Sequence, residues 1–167
     1  MINRIVQIVR LFLLLAIPVY LSVSFYYLDK SYFLCPIKYL GDVCIRSDSR
    51  GDGEFAARRS GRRMHNGVDL LAEVGTPVVA CKGGYARVFE QKNGMGNYIV
   101  IYHPDNLSTL YGHLSAIMIP DGILVRQGQV IGKTGKTGNS NHPDIQAHLH
   151  FEVRKNGVLQ NPRDFLE

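Results

Sequence analysis

The chain has 167 residues, of which 46% are hydrophobic and 20% are charged. This composition excludes an intrinsically disordered protein, and the length supports one domain with an appendage. Three cysteines are too few for a disulfide-rich scaffold or a four-thiolate zinc module. Residues 1–30 hold three basic residues and one acidic residue, so the net charge of +5 falls to +3 for the rest of the chain, which does not indicate nucleic-acid binding.

Residues 1–30 form a strongly apolar head. Arg4 and Arg10 precede the 18 uncharged positions 11–28, which as a helix would span about 27 Å, close to the thickness of a hydrocarbon core. Basic residues before an apolar stretch predict a cytoplasmic N-terminus, with residues 31–167 outside the cytoplasm. The aromatic residues that follow are typical of the far membrane interface: Phe25, Tyr26, Tyr27, Tyr32 and Phe33.

Two alternatives to a membrane anchor remain for this head. A cleaved signal peptide would have residues 11–21 as its apolar region and Ser22-Val23-Ser24 as its cleavage site. A core helix would instead be buried in the domain. We favour the uncleaved anchor, because a mature chain that begins at Phe25 would expose many aromatic side chains. Anchor and signal peptide both predict an exported domain.

The expected compartment bears on the three cysteines, because disulfides are stable outside the cytoplasm. We hypothesise that Cys35 and Cys44 close a small loop, which would contribute at most about 2–3 kcal/mol through chain entropy. Cys81 ends the apolar run Pro77-Val78-Val79-Ala80 and is predicted to be a buried thiol.

The remainder of the chain is predicted to consist of a linker, residues 31–49, and one domain, residues 50–167. Residues 45–63 are rich in Arg, Ser, Gly and Asp and are predicted to form a loop that enters the domain. Four basic residues bunch near its end and are interpreted as a solvated surface, with attraction to an anionic polymer as the alternative. They are Arg58, Arg59, Arg62 and Arg63.

Short apolar runs in this domain alternate with turn residues about every 8–12 positions, which is typical of an all-β fold. Asn156-Gly157 is predicted to form a hairpin turn. The second, third and fourth predicted strands are expected to form a meander, because only short turn segments separate them. The pattern therefore predicts a single antiparallel β-sandwich or small barrel, with strands at residues 77–80, 85–91, 97–102, 108–111, 129–132 and 148–154.

The histidines carry the candidate chemistry. His148 and His150 are two apart on the last long strand, so they would share one face about 6.5–7 Å apart. One of them can bind a metal while the other reaches the substrate. His65 and Asp69 are four apart, and Gly67 with the following apolar run favours an extended segment or a turn over a helix.

Two histidines and one aspartate form a three-ligand set that leaves a fourth position for water, which is typical of catalytic zinc. Such an ion lowers the pKa of its water to about 7 and polarises the carbonyl under attack. A hydrolase also needs a proton acceptor and a group that stabilises the oxyanion. His113 and His148 are the remaining histidines best placed for these tasks. Each motif alone is common by chance, but their joint appearance is a stronger signal.

Residues 50–163, which contain these motifs, resemble the lysostaphin-type (LytM-like) zinc endopeptidases, which cut peptide bonds in peptidoglycan. The resemblance is carried by the order and spacing of several segments, among them His65-Asn66-Gly67-Val68-Asp69, Gly96-Asn97-Tyr98, Tyr111-Gly112-His113-Leu114, Gly128-Gln129-Val130 and His148-Leu149-His150.

The resemblance implies that His65, Asp69 and His150 bind one Zn²⁺, and that His113 and His148 act on the water and the tetrahedral intermediate. It implies an antiparallel β fold with the site in a groove. The predicted function is therefore a zinc metalloendopeptidase of peptidoglycan stem peptides or cross-links. The N-terminal helix would bind the protein to the cytoplasmic membrane, with the catalytic domain on the periplasmic side. If the head is cleaved, the protein would be secreted. No nucleic-acid partner is expected, and the oligomeric state stays open.

Some features depart from the relatives or stay open. Residues 141–147 replace a short Pro-containing stretch and are predicted to form a loop on the groove rim. His142 in this loop is expected to face solvent, with a substrate contact as the alternative, and His103 lies in a turn with an expected structural role. Residues 31–60 could inhibit the site, because some relatives cover the groove with an upstream segment.

Two other functions compete with the leading prediction. A non-catalytic regulator is one, because some relatives have lost ligands and activate amidases. A module that keeps zinc but only holds wall peptides is the other. Turnover of peptidoglycan separates both of them from a peptidase.

Overall fold

The computed structural model describes residues 2–26, 29, 32–38, 42–59 and 63–166. Tyr27 and Lys30 of the apolar head and Arg62 of the basic cluster lie outside the described residues.

The N-terminal helix α1 (Ile2–Tyr26) has 25 residues and contains Pro18. Within it, Arg4–Leu21 has a mean hydropathy of 1.9 and is long and apolar enough to cross a membrane. The side chains of Phe12 and Leu14 are 69% and 70% exposed, so α1 is not a core helix. Its length and composition fit a membrane anchor or a signal sequence.

The rest of the described chain is mostly β structure, with two short 3-10 helices at Gly138–Ser140 and Pro162–Phe165. Twelve strands occur in the described residues, and they are β1 (Ser47–Asp48), β2 (Gly51–Asp52), β3 (Val68–Leu71), β4 (Pro77–Val79), β5 (Gly84–Glu90), β6 (Asn97–Tyr102), β7 (Leu107–Gly112), β8 (Ala116–Ile117), β9 (Ile123–Val125), β10 (Val130–Lys133), β11 (His148–Lys155) and β12 (Val158–Gln160).

These strands form antiparallel sheets, which confirms the predicted all-β class. The large sheet has the order β12-β11-β7-β6-β5-β9, with β3 pairing β11 outside this path, and a smaller sheet has the order β4-β10-β8. The predicted meander is confirmed as β5-β6-β7. The predicted hairpin turn between β11 and β12 is also confirmed, since Asn156 and Gly157 have φ values of 52° and 78°.

One hydrophobic core receives side chains from both sheets. The strand β11 shows how the sequence directs this packing, because its residues alternate between two faces. Leu149, Phe151 and Val153 are fully buried in the core. The opposite face of β11 presents His148 and His150, as the alternation predicted.

Residues upstream of β1 also pack against the domain. The Leu34 N–H donates to the Cys81 carbonyl at 3.0 Å, the Leu71 N–H donates to the Cys44 carbonyl at 2.8 Å, and Ile37 is 1% exposed. Cys35 and Cys44 are both thiols and do not form the predicted disulfide. The backbone next to Cys35 pairs with Cys81, whereas Cys44 itself pairs with Leu71. Cys81 is fully buried, as predicted.

Candidate metal centre

The pairing of β3 with β11 brings two of the three candidate metal ligands together. In this antiparallel register Asp69 lies opposite His150. Val68 and Leu70 point into the core and are fully buried, so Asp69 between them faces the other side. His65 precedes β3 in an extended segment, and its backbone N–H donates to the Ala57 carbonyl at 2.9 Å. The segment from His65 to Asp69 is therefore not helical.

Three donor atoms converge at this point. His65 Nε2 lies 3.0 Å from Asp69 Oδ1 and 3.0 Å from His150 Nδ1, and His150 Nδ1 lies 2.9 Å from Asp69 Oδ1. The three residues are buried and form a group that could hold a metal ion. In tetrahedral coordination with bonds of about 2.0–2.1 Å, ligand atoms are about 3.3 Å apart. The donors therefore need only a small outward shift to fit zinc, and their nitrogen and oxygen chemistry suits it.

Hydrogen bonds on the far side of each imidazole orient these donors. His65 Nδ1 donates to the Glu54 carbonyl at 2.8 Å, which leaves Nε2 with its lone pair towards the site. His150 Nε2 lies 3.3 Å from Glu152 Oε1, and the other carboxylate oxygen of Glu152 accepts from Arg154 at 2.8 Å. Such outer partners fix the tautomer of a metal-binding histidine, so both rings present the correct nitrogen.

Two arginines hold the oxygen of Asp69 that faces away from the histidines. Arg46 donates to Oδ2 from Nε at 3.2 Å and from Nη2 at 2.9 Å, and Arg59 donates from Nη2 at 2.9 Å. Although burial raises it, the close contacts with the His150 and His65 rings hold the pKa of Asp69 well below its usual range. Asp69 is therefore a carboxylate with one oxygen directed at the site.

His113 and His148 stand beside the three donors. The ring centroid of His113 lies 5.1 Å from that of His148 and 5.9 Å from that of His150. His113 Nδ1 donates to the Thr137 carbonyl at 2.8 Å, and His148 Nδ1 donates to the Gln146 carbonyl at 2.6 Å. In both rings Nε2 is left as the proton acceptor.

Burial sets the charge of these two rings. Burial, followed by the neighbouring His150 and His148 rings, lowers the pKa of His113 to about 3. Burial also lowers the pKa of His148, against the opposing effect of the Asp69 carboxylate. For His150 itself burial lowers the pKa, but the contacts with the Asp69 and Glu152 carboxylates outweigh this and raise it to about 9, so binding of a metal ion at Nδ1 would release a proton. His113 and His148 are therefore neutral at neutral pH.

The site lies in an open groove with a volume of about 930 Å³. Gln91 and Met95 line it from the β5–β6 connection, and Asn139, Ser140 and Ile145 line it from the connection that precedes β11. This agrees with the predicted rim position of residues 141–147.

The other two histidines lie away from the three donors. His142 in the rim loop has a side chain that is 39% exposed, and its Nε2 lies 2.7 Å from Arg50 Nη2. His103 donates from Nδ1 to the Gly83 carbonyl at 2.7 Å, and its Nε2 lies 2.8 Å from Thr109 Oγ1. These buried hydrogen bonds favour the structural role expected for His103.

Sequence reasoning gave no role to Glu152 and Arg46. Glu152 follows His148 and His150 at the same spacing of two, so the strand alternation could have placed it on the site face. Arg46 has no such signal, because its contact with Asp69 joins residues 23 positions apart in segments without a shared period.

The family model described as Peptidase family M23 matches residues 63–162. The DD-carboxypeptidase/endopeptidase Mpg of Neisseria meningitidis serogroup B is 45% identical over 100 residues, which cover 60% of this chain and 22% of that protein. The chain thus spans about a fifth of the length of this relative.

Two solved structures resemble the fold. A zinc-containing peptidase from Vibrio cholerae has a TM-score of 0.62 and 29% identity, over 79% of this chain and 39% of that chain. A chain of the SpoIIQ–SpoIIIAH pore-forming complex has a TM-score of 0.66 and 27% identity, over 81% of this chain and 91% of that chain.

Proposed function

Because the chain belongs to peptidase family M23, we propose that it is a zinc metalloendopeptidase that hydrolyses stem peptides or cross-links of peptidoglycan. The observation that carries this proposal is the convergence of His65 Nε2, Asp69 Oδ1 and His150 Nδ1 in an open groove. The name of the relative Mpg, a DD-carboxypeptidase/endopeptidase, supports peptidase activity, and that of a Vibrio cholerae relative, the peptidoglycan DD-endopeptidase ShyC, supports the substrate class.

His65, Asp69 and His150 would hold one Zn²⁺. A bound zinc ion supplies an acidified water molecule and polarises the scissile carbonyl. The outer hydrogen bonds of His65 and His150 keep the donor nitrogens aimed at one point, so no ligand has to turn when the ion binds. The groove is open to solvent and leaves room for a peptide beside this point.

His113 and His148 would accept and return the proton of the attacking water. Each ring is held through Nδ1 by a backbone carbonyl, so a neutral Nε2 faces the groove and can accept the proton of the attacking water. Once protonated, the same nitrogen can donate a hydrogen bond to the oxyanion or to the leaving amine.

For the whole chain we propose the arrangement expected from the sequence. Residues 1–30 would anchor the protein in the cytoplasmic membrane or direct its export, residues 31–49 would be a linker, and residues 50–167 would act on the cell wall outside the cytoplasm. The apolar, solvent-exposed surface of α1 supports this arrangement.

Turnover of purified peptidoglycan tests the proposal. The full-length protein in detergent should release soluble peptides from peptidoglycan sacculi, stop after addition of a chelator and recover with Zn²⁺. His150→Ala should lose bound zinc and activity together. His113→Ala should keep its zinc but lose about 10²–10⁴-fold in rate, because it removes one proton acceptor and leaves the three candidate ligands in place. Zinc content and mass spectrometry of the products measure these outcomes.

His142→Ala is the matched control for these variants, because it removes a histidine of the rim loop that does not line the groove. It should behave as the wild type. Full activity of His113→Ala would overturn the catalytic assignment.

A second candidate is a non-catalytic module that binds the cell wall or activates another enzyme. The structural similarity to a chain of the SpoIIQ–SpoIIIAH pore-forming complex favours it, since that chain assembles with a partner protein. The same turnover assay separates the two candidates: a wild-type protein that binds zinc and sacculi but releases no peptide would support the module.

A further inference from the structure

A buried arginine lies directly behind the candidate metal ligand Asp69. Arg46 is 3% exposed, and its guanidinium joins two carboxylates. Nε and Nη2 lie 3.2 and 2.9 Å from Asp69 Oδ2, while Nη1 lies 2.6 Å from Asp48 Oδ1. A buried cation is strongly unfavourable unless it is paired, so these contacts define one orientation for both the guanidinium and the Asp69 carboxylate.

The backbone holds this arrangement in place. The Arg46 N–H donates to the Asp69 carbonyl at 2.8 Å, the Gly53 N–H donates to the Arg46 carbonyl at 2.8 Å, and the Asp69 N–H donates to the Gly53 carbonyl at 2.8 Å. Residues 46 and 53 thus lie side by side with residue 69. These backbone bonds bring Arg46 next to Asp69, and its ion pairs with Asp69 and Asp48 hold the guanidinium there.

As a result, the two carboxylate oxygens of Asp69 have different partners. Oδ2 accepts from Arg46 and Arg59, whereas Oδ1 lies 2.9–3.0 Å from His150 Nδ1 and His65 Nε2. A carboxylate can bind a metal through one oxygen or through both. With Oδ2 occupied by arginine, the carboxylate cannot turn its second oxygen towards the ion.

We propose that Arg46 is a positioning residue for the metal ligand Asp69, which it restricts to coordination through Oδ1. This inference rests on the proposed function for the identity of the ligands. It does not follow from family membership, because Arg46 and Asp48 lie outside residues 63–162, which the family model matches. Arg59 shares the contact, but its side chain is 19% exposed against 4% for Arg46, and so it holds Asp69 less firmly.

Zinc affinity of the full-length protein in detergent tests the proposal without any peptidoglycan. Competition with a chromophoric chelator should show that Arg46→Met binds Zn²⁺ about 10- to 100-fold more weakly than the wild type, as is usual when an outer partner of a metal ligand is removed. Arg59→Met should lose less. Arg87→Met removes a comparable ion pair, with Asp121, that is exposed on β5, and it should keep the wild-type affinity.

The absorption spectrum of the Co²⁺-substituted protein adds a readout that a general loss of stability would not change. The wild type should show the intense visible bands of four-coordinate Co²⁺, and Arg46→Met should show weaker bands, because Asp69 can then bind through both oxygens. Arg46→Lys keeps the charge but lacks the planar fork whose three nitrogens contact Asp69 and Asp48, so it should fall between the two and carries the test if Arg46→Met does not fold.

Wild-type zinc affinity together with a wild-type Co²⁺ spectrum in Arg46→Met or Arg46→Lys would overturn the proposal. Failure of the proposed function is distinguishable from this result. A wild-type protein that binds zinc and depends on Arg46 for it, but releases no peptides from sacculi, would contradict the peptidase and leave the role of Arg46 intact.

Discussion

His113 has a backbone conformation that residues with a side chain rarely adopt, with a φ of 62°. It directly follows β7, and two hydrogen bonds hold it there: its N–H donates to the Met95 carbonyl at 2.8 Å, and its Nδ1 donates to the Thr137 carbonyl at 2.8 Å. This left-handed turn directs the ring towards His148. Such a conformation costs about 1–2 kcal/mol, which is typical of residues that a functional site requires.

Two substitutions that remove the His113 imidazole should reveal this strain as a difference in stability. Glycine adopts a positive φ without penalty and alanine does not, so His113→Gly should have a free energy of unfolding about 1 kcal/mol higher than His113→Ala. Urea denaturation in the presence of chelator measures the difference. At His65, whose φ is not positive, the order should be reversed, because glycine is the more flexible residue in the unfolded chain. Equal stability of the two His113 variants would contradict the strain.

At this scale the sequence predicted the residue types of the site better than their surroundings. Spacing and the family resemblance pointed to His65, Asp69 and His150, and the structure brings these three side chains within reach of one ion. Their roles stay predictions. Arg46 could not be found in this way, because its place beside Asp69 depends on backbone pairing between distant segments.

The approach of β3 to β11 explains the glycine inside the motif from His65 to Asp69. Gly67 lies just before β3, and a Cβ at this position would come within 2.2 Å of the Phe151 carbonyl oxygen. Only a residue without a side chain lets the two strands come this close. Because Asp69 lies opposite His150 in the same strand pair, the glycine also sets the distance between two candidate ligands.

Gly67→Ala should therefore lower both stability and zinc affinity. The clash is with backbone atoms that cannot move aside, so we expect a loss of about 1–3 kcal/mol in the free energy of unfolding and weaker zinc binding as β3 shifts from β11. Gly157→Ala is the matched control, since Gly157 has a positive φ of 78° but open space around it. It should lose about 1 kcal/mol and bind zinc normally, as chelator competition would show. Unchanged zinc affinity in Gly67→Ala would refute this role of the strand pair.

The strands differ in how well the sequence predicts them, for a physical reason. The six predicted strands match β4, β5, β6, β7, β10 and β11, the longer ones showing clear apolar alternation. The hairpin strands β1 and β2 and the strand β8 have only two residues each, too few to show a period. In the described part of the chain, β1 and β2 pair only with each other, whereas β8 forms because β10 offers a backbone partner, which is information that local sequence does not contain.

At the scale of the whole molecule, the chain combines an apolar, exposed helix with a β domain that belongs to a peptidase family. The division into residues 1–30, 31–49 and 50–167 stays a prediction. Ile37, within the second of these ranges, is part of the hydrophobic core, and Leu34 pairs with Cys81. Apolar periodicity cannot reveal such contacts, because an irregular segment that packs against a sheet has no regular spacing of apolar residues.

The cysteines provide a test of the orientation across the membrane. Cys44 is exposed, so in a Cys35→Ser protein a membrane-impermeant maleimide should label Cys44 in spheroplasts if residues 31–167 lie outside the cytoplasm. Burial raises the pKa of the Cys81 thiol to about 12, so Cys81 has almost no thiolate and should react only after denaturation. The Cys35→Ser, Cys44→Ser protein should stay unlabelled until it is unfolded. Labelling of Cys44 that appears only after lysis would place the domain in the cytoplasm, and no enzyme there could reach the cell wall.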